Sequence, residues 1–186
     1  MTLLSSIFRG AVGFSLVSLA SFSVWAFASG WFKGRGGELG MYAGCALVFF
    51  VGTGLALSPL LQGPRARKRF NAAFLTAFAI YAVVWTVAWM ALGFPYGEWV
   101  ASGAGSLAFA ITTAAFLGGW SKLPVATVLL FFFHSAGYFT GAQIYYTSEH
   151  GTAVKLLWGV LYGLGFGAGI GQLYYLLQST GPNKPS

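Results

Sequence analysis

Apolar residues run along this chain in six blocks, at approximately 11–29, 39–61, 71–92, 99–119, 124–147 and 153–178. Each is close to the 20 or so residues that carry a helix across roughly 30 Å of hydrocarbon. The breaks between them are short and polar or turn-forming: Trp31–Glu38, Gly63–Arg69, Gly93–Glu98, Ser121–Pro124 and Thr147–Thr152. Pro124 stands at a helix start, where its missing N–H gives up no bond. The pattern predicts an all-α, polytopic transmembrane bundle of about six helices, arranged as three hairpins. It predicts one domain over 1–180 and a short disordered tail over 181–186.

Composition fixes the solvent. Of 186 residues, 57% are apolar and 7% are charged, against about a quarter charged in a soluble domain. Such a chain cannot coat a water-facing surface, so its solvent is lipid. The net charge of +7 therefore points to lipid headgroups and not to nucleic acid, because the basic residues gather at the ends of the apolar blocks. Arg9, Arg65, Arg67, Lys68, Arg69, Lys122 and Lys184 fall on the N-terminal side of the membrane, and Lys33, Arg35 and Lys155 on the other. Cytoplasmic loops carry the excess of Lys and Arg, which predicts both termini inside, in the bacterial inner membrane. The exposed turn Arg65, Arg67, Lys68, Arg69 is suited to anionic headgroups. Glu38, Glu98 and Glu149 then lie outside, near helix N-termini where negative charge is favoured. Arg9, an apolar stretch and Ala26-Phe27-Ala28 also fit a secretory signal. The length of the run and the interfacial Trp25 favour an ordinary first helix.

Within the blocks, small residues recur every four positions and so share a helix face. The second block has Gly40, Gly44, Gly52 and Ala56, a spacing interrupted by Val48. The fourth has Ser102, Ser106, Ala110, Ala114 and Gly118, and the sixth has Gly159, Gly163, Gly167 and Gly171. Helices in lipid associate through close backbone approach at such residues. The last ridge is expected to receive another helix of the same chain near Gly163 and Gly167.

Chemistry-bearing groups are few. The chain has no Asp, and no Glu, Lys or Arg falls near the centre of a block. That argues against a carboxylate-based proton or sodium carrier, a retinal protein and an intramembrane protease. Cys45 is the single cysteine, so there is no internal disulfide and no thiolate metal site. No nucleophile–base or carboxylate pair stands out, which predicts no enzyme, metal or cofactor. His134 is the exception, near the middle of the fifth block. Tyr138 and Tyr145 share its face, while Tyr81, Thr112 and Thr113 lie at comparable depth. These six are the candidate ligand contacts, since a neutral imidazole offers one donor and one acceptor to a polar head. The other reading of His134 is a core histidine bonded to Tyr or Ser. His150 lies about 24 Å along a helix from it, too far to share a haem iron.

In length and helix count the chain resembles the substrate-binding membrane subunits of energy-coupling-factor vitamin transporters. No motif carries residues over from them. Two functions fit the residues. One is a binding or transport component holding an amphipathic or aromatic molecule among the third, fourth and fifth helices. The other is a non-catalytic packing subunit, docking a membrane-protein partner or a second copy through the Gly and Ser ridges. The predicted topology is checked by labelling: cysteines placed in the Arg65–Arg69 turn should react only from the cytoplasm, and those near Gly36, Gly97 and Gly151 only from outside. The opposite pattern would reverse the orientation.

Overall fold

The computed structural model describes residues 1–178. Six helices make up the fold: α1 Leu3–Lys33, α2 Gly37–Ala56, α3 Ala66–Leu92, α4 Tyr96–Leu117, α5 Leu123–Thr147 and α6 Thr152–Gln178. No strand occurs among the described residues. All six helices are long and apolar enough to cross a bilayer, and the chain is an integral membrane protein. Outward-facing Leu39, Leu4 and Met90 are 81%, 77% and 72% exposed, as suits a surface bathed in lipid tails.

Helix ends differ from the edges of the apolar blocks. α1 starts at Leu3, well before the block, and the Thr2 hydroxyl caps it by accepting from the Ser5 N–H at 3.2 Å. α3 starts at Ala66, so Arg67, Lys68 and Arg69 lie on its first turn and not in a loop. Hydropathy marks the hydrocarbon, whereas a helix satisfies its own backbone and continues into the headgroup layer. The second block ends differently again. α2 stops at Ala56, and a short 3-10 turn, Ser58–Leu60, follows around Pro59. Leu57, Leu60 and Leu61 are buried in this turn. Gly118, from the fourth ridge, is not helical. It ends α4 at φ +83°, where a side chain would be strained. The predicted tail, 181–186, lies outside the described residues.

α6 is the axis of the bundle. Every residue from Phe166 to Tyr174 is buried, so this stretch has no lipid-facing side. Its glycines explain how neighbours come so near. The ridge Gly159, Gly163, Gly167, Gly171 faces α1, which runs antiparallel to it. A Cβ on Gly163 would stand 2.9 Å from the Ser18 Cβ, and one on Gly167 would stand 2.7 Å from the Phe14 Cβ and collide with the Gly10 carbonyl oxygen. Ser6 Oγ donates to the Gly171 carbonyl at 2.7 Å, and Ser15 Oγ to the Val160 carbonyl at 3.2 Å. A second glycine face serves α5. A Cβ on Gly165 would meet the Phe133 carbonyl and stand 2.8 Å from the Gly137 Cα, and one on Gly169 would stand 2.8 Å from Leu130 Cδ1. Without a hydrophobic force between helices in lipid, these contacts hold by van der Waals packing and interhelical hydrogen bonds.

The remaining helices pack outward from this core. α2 lies on α1, with Gly40 and Gly44 beneath the Phe32 ring and Gly52 against Val17. α4 lies on α5 and turns Ser102, Ser106, Ala110 and Ala114 into the bundle, all buried. α3 lies on α4. α2 and α3 meet only sparingly. At one end their connection is tied to α6, where Gln178 accepts from the Gln62 N–H at 3.2 Å and donates to the Leu60 carbonyl at 2.9 Å.

The α1–α6 contact yields a sharp expectation. At Gly167 a single methyl group must push two backbones apart, so Gly167→Ala should cost on the order of 1–3 kcal/mol, as overpacking does in tight cores. Gly30 of α1 has nothing within 4 Å of such a Cβ, so Gly30→Ala should be neutral or slightly stabilising. Thermal unfolding in detergent compares the two. Equal melting of both variants would mean that α1 and α6 are not in backbone contact.

Candidate functional site

An aromatic column fills the bundle from end to end. α3 supplies Phe70, Phe74, Phe78, Tyr81, Trp85 and Trp89 at helical spacing along one side. Successive centroids from Phe70 to Tyr81 lie 5.7, 5.5 and 5.7 Å apart. α6 packs into this column through Tyr174, 4.9 Å from Phe70, and Phe166, 5.1 Å from Tyr81. The glycines of α6 let its backbone approach α1 and α5, while its large rings fill the space facing α3.

Toward the end that bears Glu98, the column parts around a cavity of about 340 Å³. Five helices wall it: α1 with Phe22, α2 with Tyr42 and Phe49, α3 with Tyr81, Ala82, Trp85 and Thr86, α5 with Tyr138, and α6 with Tyr162. Tyr42, Ala82 and Thr86 are also exposed, so the cavity opens between α2 and α3, the pair that barely touch. Its volume falls in the lower range of small-molecule pockets.

Behind the aromatic wall lies a chain of polar side chains. His134 is fully buried. The Tyr81 hydroxyl lies 2.7 Å from its Nε2, and the Ser102 hydroxyl 2.8 Å from its Nδ1. Ser102 Oγ also lies 2.7 Å from Ser135 Oγ. A neutral imidazole with one donor and one acceptor is satisfied by this set in either tautomer. The Tyr138 ring stacks over His134 at 5.9 Å, and its hydroxyl donates to Glu98 Oε1 at 3.1 Å. The tyrosines thus point these hydroxyls into the protein and leave ring area to the cavity.

The sequence-predicted residues are distributed as follows. Tyr81 and Tyr138 line the cavity. His134 touches both rings but stands behind them, 5.6 Å from Tyr81 between centroids. The Thr112 and Thr113 hydroxyls donate to the carbonyls one turn back in α4, at Ala108 and Phe109, both at 2.8 Å. They face their own helix backbone. Tyr145 packs with Trp25, Trp158 and His150 nearer the end of the bundle. Arg65, Arg67, Lys68 and Arg69 are exposed together at the opposite end. Among the described residues, no three of His, Cys, Asp and Glu are grouped to hold a metal ion.

The structure moves Glu98 from the surface to the interior. Placed by its position at a helix start, it reads as a surface acid. In the structure it is 6% exposed. The signal was present: four residues before Ser102, Glu98 continues the ridge of Ser102, Ser106, Ala110 and Ala114, and therefore shares the face that α4 buries. The cavity left no sequence signal, because its walls come from five helices that only tertiary packing brings together. Comparison with protein-family models, curated proteins and solved structures gives no match to this chain.

Proposed function

We propose that this protein is a binding or transport component of the bacterial inner membrane, with both termini in the cytoplasm. It holds a small amphipathic or aromatic molecule in the cavity between α2 and α3. The observation that carries this reading is the cavity itself, about 340 Å³ and walled by rings from five helices. Lipid-facing helices gain by closing on one another, so a ring-lined gap between two neighbours is a feature to be explained. A flat apolar guest restores the lost contacts, and ring-on-ring packing adds to them. The opening faces sideways, so the guest arrives from the bilayer. The reading as a packing subunit is weaker, because the Gly and Ser ridges it relies on are already engaged inside the chain.

Ala82 stands at the mouth, and a large side chain there fills the cavity without touching the α6 contacts. Native mass spectrometry of the detergent-extracted protein should show a retained small molecule. Ala82→Trp should lose it while keeping the wild-type melting temperature. A wild-type preparation that carries no small molecule, or retention unchanged by Ala82→Trp, contradicts the proposal.

A further inference from the structure

We infer that the guest of this cavity is a lipophilic organic cation, an ammonium group on an apolar frame, and that Glu98 is its counter-charge. The inference rests on the cavity reading above and adds the chemistry of the ligand.

The walls set the first condition. Tyr81 directs its hydroxyl to His134 and Tyr138 directs its own to Glu98. What the cavity meets is mainly ring, and ring faces carry the negative part of the aromatic quadrupole. Several rings line one space, and a cation seated on their faces is attracted, a quaternary ammonium group in particular. The chain already uses this interaction nearby, with Lys155 Nζ 4.7 Å above the Trp25 ring and the Arg35 guanidinium 5.0 Å above Trp31.

Glu98 sets the second condition. The residue is 6% exposed, and its Oε1 receives the Tyr138 hydroxyl at 3.1 Å. No Lys, Arg or His among the described residues acts on it. A carboxylate within a membrane helix that has a hydroxyl partner but no counter-charge is costly, and a cation offsets that cost. The acid stands one tyrosine away from the cavity. Opposite charges attract across such a separation, the more so where water is excluded from between them. A cation entering between α2 and α3 is thus met by ring faces first and by the carboxylate behind Tyr138.

Binding and protonation are then linked. A cation and a proton compete for the same carboxylate. As pH falls the carboxylate takes a proton from water at the adjacent end of the bundle, its lone pair forms the O–H bond, and the cation loses its counter-charge. The neighbouring groups do not compete for this role. Tyr138 and Tyr146 of α5 act on Glu98, while Tyr81 of α3 and Tyr162 of α6 lie beyond Tyr138. Phenols stay neutral between about pH 5 and about pH 8. Lys155 of α6 is held over Trp25. His134 has hydroxyl partners on both ring nitrogens.

The test uses benzyltrimethylammonium and its uncharged isostere neopentylbenzene, titrated into the full chain in phosphatidylglycerol nanodiscs at about pH 8 and about pH 5. Wild type should bind the cation at least about tenfold more tightly than the isostere, and less tightly at the lower pH. Glu98→Gln keeps an acceptor for Tyr138 and should preserve the melting temperature. It should weaken the cation about tenfold or more, leave the isostere unchanged and abolish the pH dependence. Equal binding of the two probes, indifferent to Glu98→Gln, would leave the cavity reading intact and overturn the cation. A pH dependence that survives in Glu98→Gln would move the titration elsewhere and overturn the role of Glu98. Binding of neither probe would overturn the cavity reading as well. Repeating the titration with phosphatidylcholine or phosphatidylethanolamine mixed at one fixed fraction of phosphatidylglycerol distinguishes two carriers of the same charge at equal surface potential. Binding equal in both mixtures identifies a free cation, and binding weakened in the phosphatidylcholine mixture identifies a choline headgroup competing for the site.

Discussion

Direct contact between the backbones of α6 and its two neighbours is the interaction on which the rest of this structure depends. In water, a helix with as many glycines as α6 would be penalised, since glycine has the most backbone freedom to lose. In lipid the unfolded alternative has no solvent for its N–H and C=O groups, so the helix persists. The missing side chains then become useful. On one face Gly163 and Gly167 admit α1, and on another Gly165 and Gly169 admit α5. With two neighbours drawn this close, α6 is enclosed along its second half.

That enclosure determines where space is left. α2 follows α1, α3 follows α4, and the two meet sparingly because neither packs backbone to backbone on α6. Their connecting turn is held by buried Leu57, Leu60 and Leu61 and by Gln178. The seam is therefore pinned at one end and relaxed toward the other, where Tyr42 and Thr86 border the cavity. The aromatic column follows from the same geometry: a thin helix axis leaves wide gaps on its third side, and rings such as Phe74, Phe109 and Phe166 fill them. Where the column spreads, rings such as Trp85, Tyr138 and Tyr162 touch edge to face around the cavity, and the polar chain behind them keeps Tyr81 and Tyr138 in place.

Much of the architecture was legible in the sequence, for a physical reason. A bilayer imposes one length and one hydropathy on every crossing segment, so six apolar blocks announce six helices. Spacing of four on α6 and α4 identified faces made of small residues, and the structure turns those faces inward. Helix ends were less legible. Thr2 caps α1 before the apolar block begins, and Arg67–Arg69 are helical although charged. The site was legible only in part. His134, Tyr81 and Tyr138 drew notice as polar groups at bilayer depth. Thr112 and Thr113 looked equivalent, but a threonine in a helix can satisfy its hydroxyl on the preceding turn, and periodicity does not report that choice. Glu98 escaped because the helix-start rule for acids and the ridge pattern gave opposite answers at one residue, and burial followed the ridge.

The most direct measurement of the central contact is a disulfide across it. A Cβ on Gly163 would lie 2.9 Å from the Ser18 Cβ, close to the separation of roughly 3.5–4.5 Å that a disulfide bridges. Cys45, the one native cysteine, is first replaced by Ala to remove background. Ser18→Cys combined with Gly163→Cys should then cross-link within a single chain on mild oxidation in the membrane. Ser18→Cys combined with Leu164→Cys, whose side chain is exposed to lipid, should not. Failure of the first pair to link in a chain that keeps the wild-type melting temperature, or its appearance only as a covalent dimer, would contradict an α6 axis packed against α1 of its own chain.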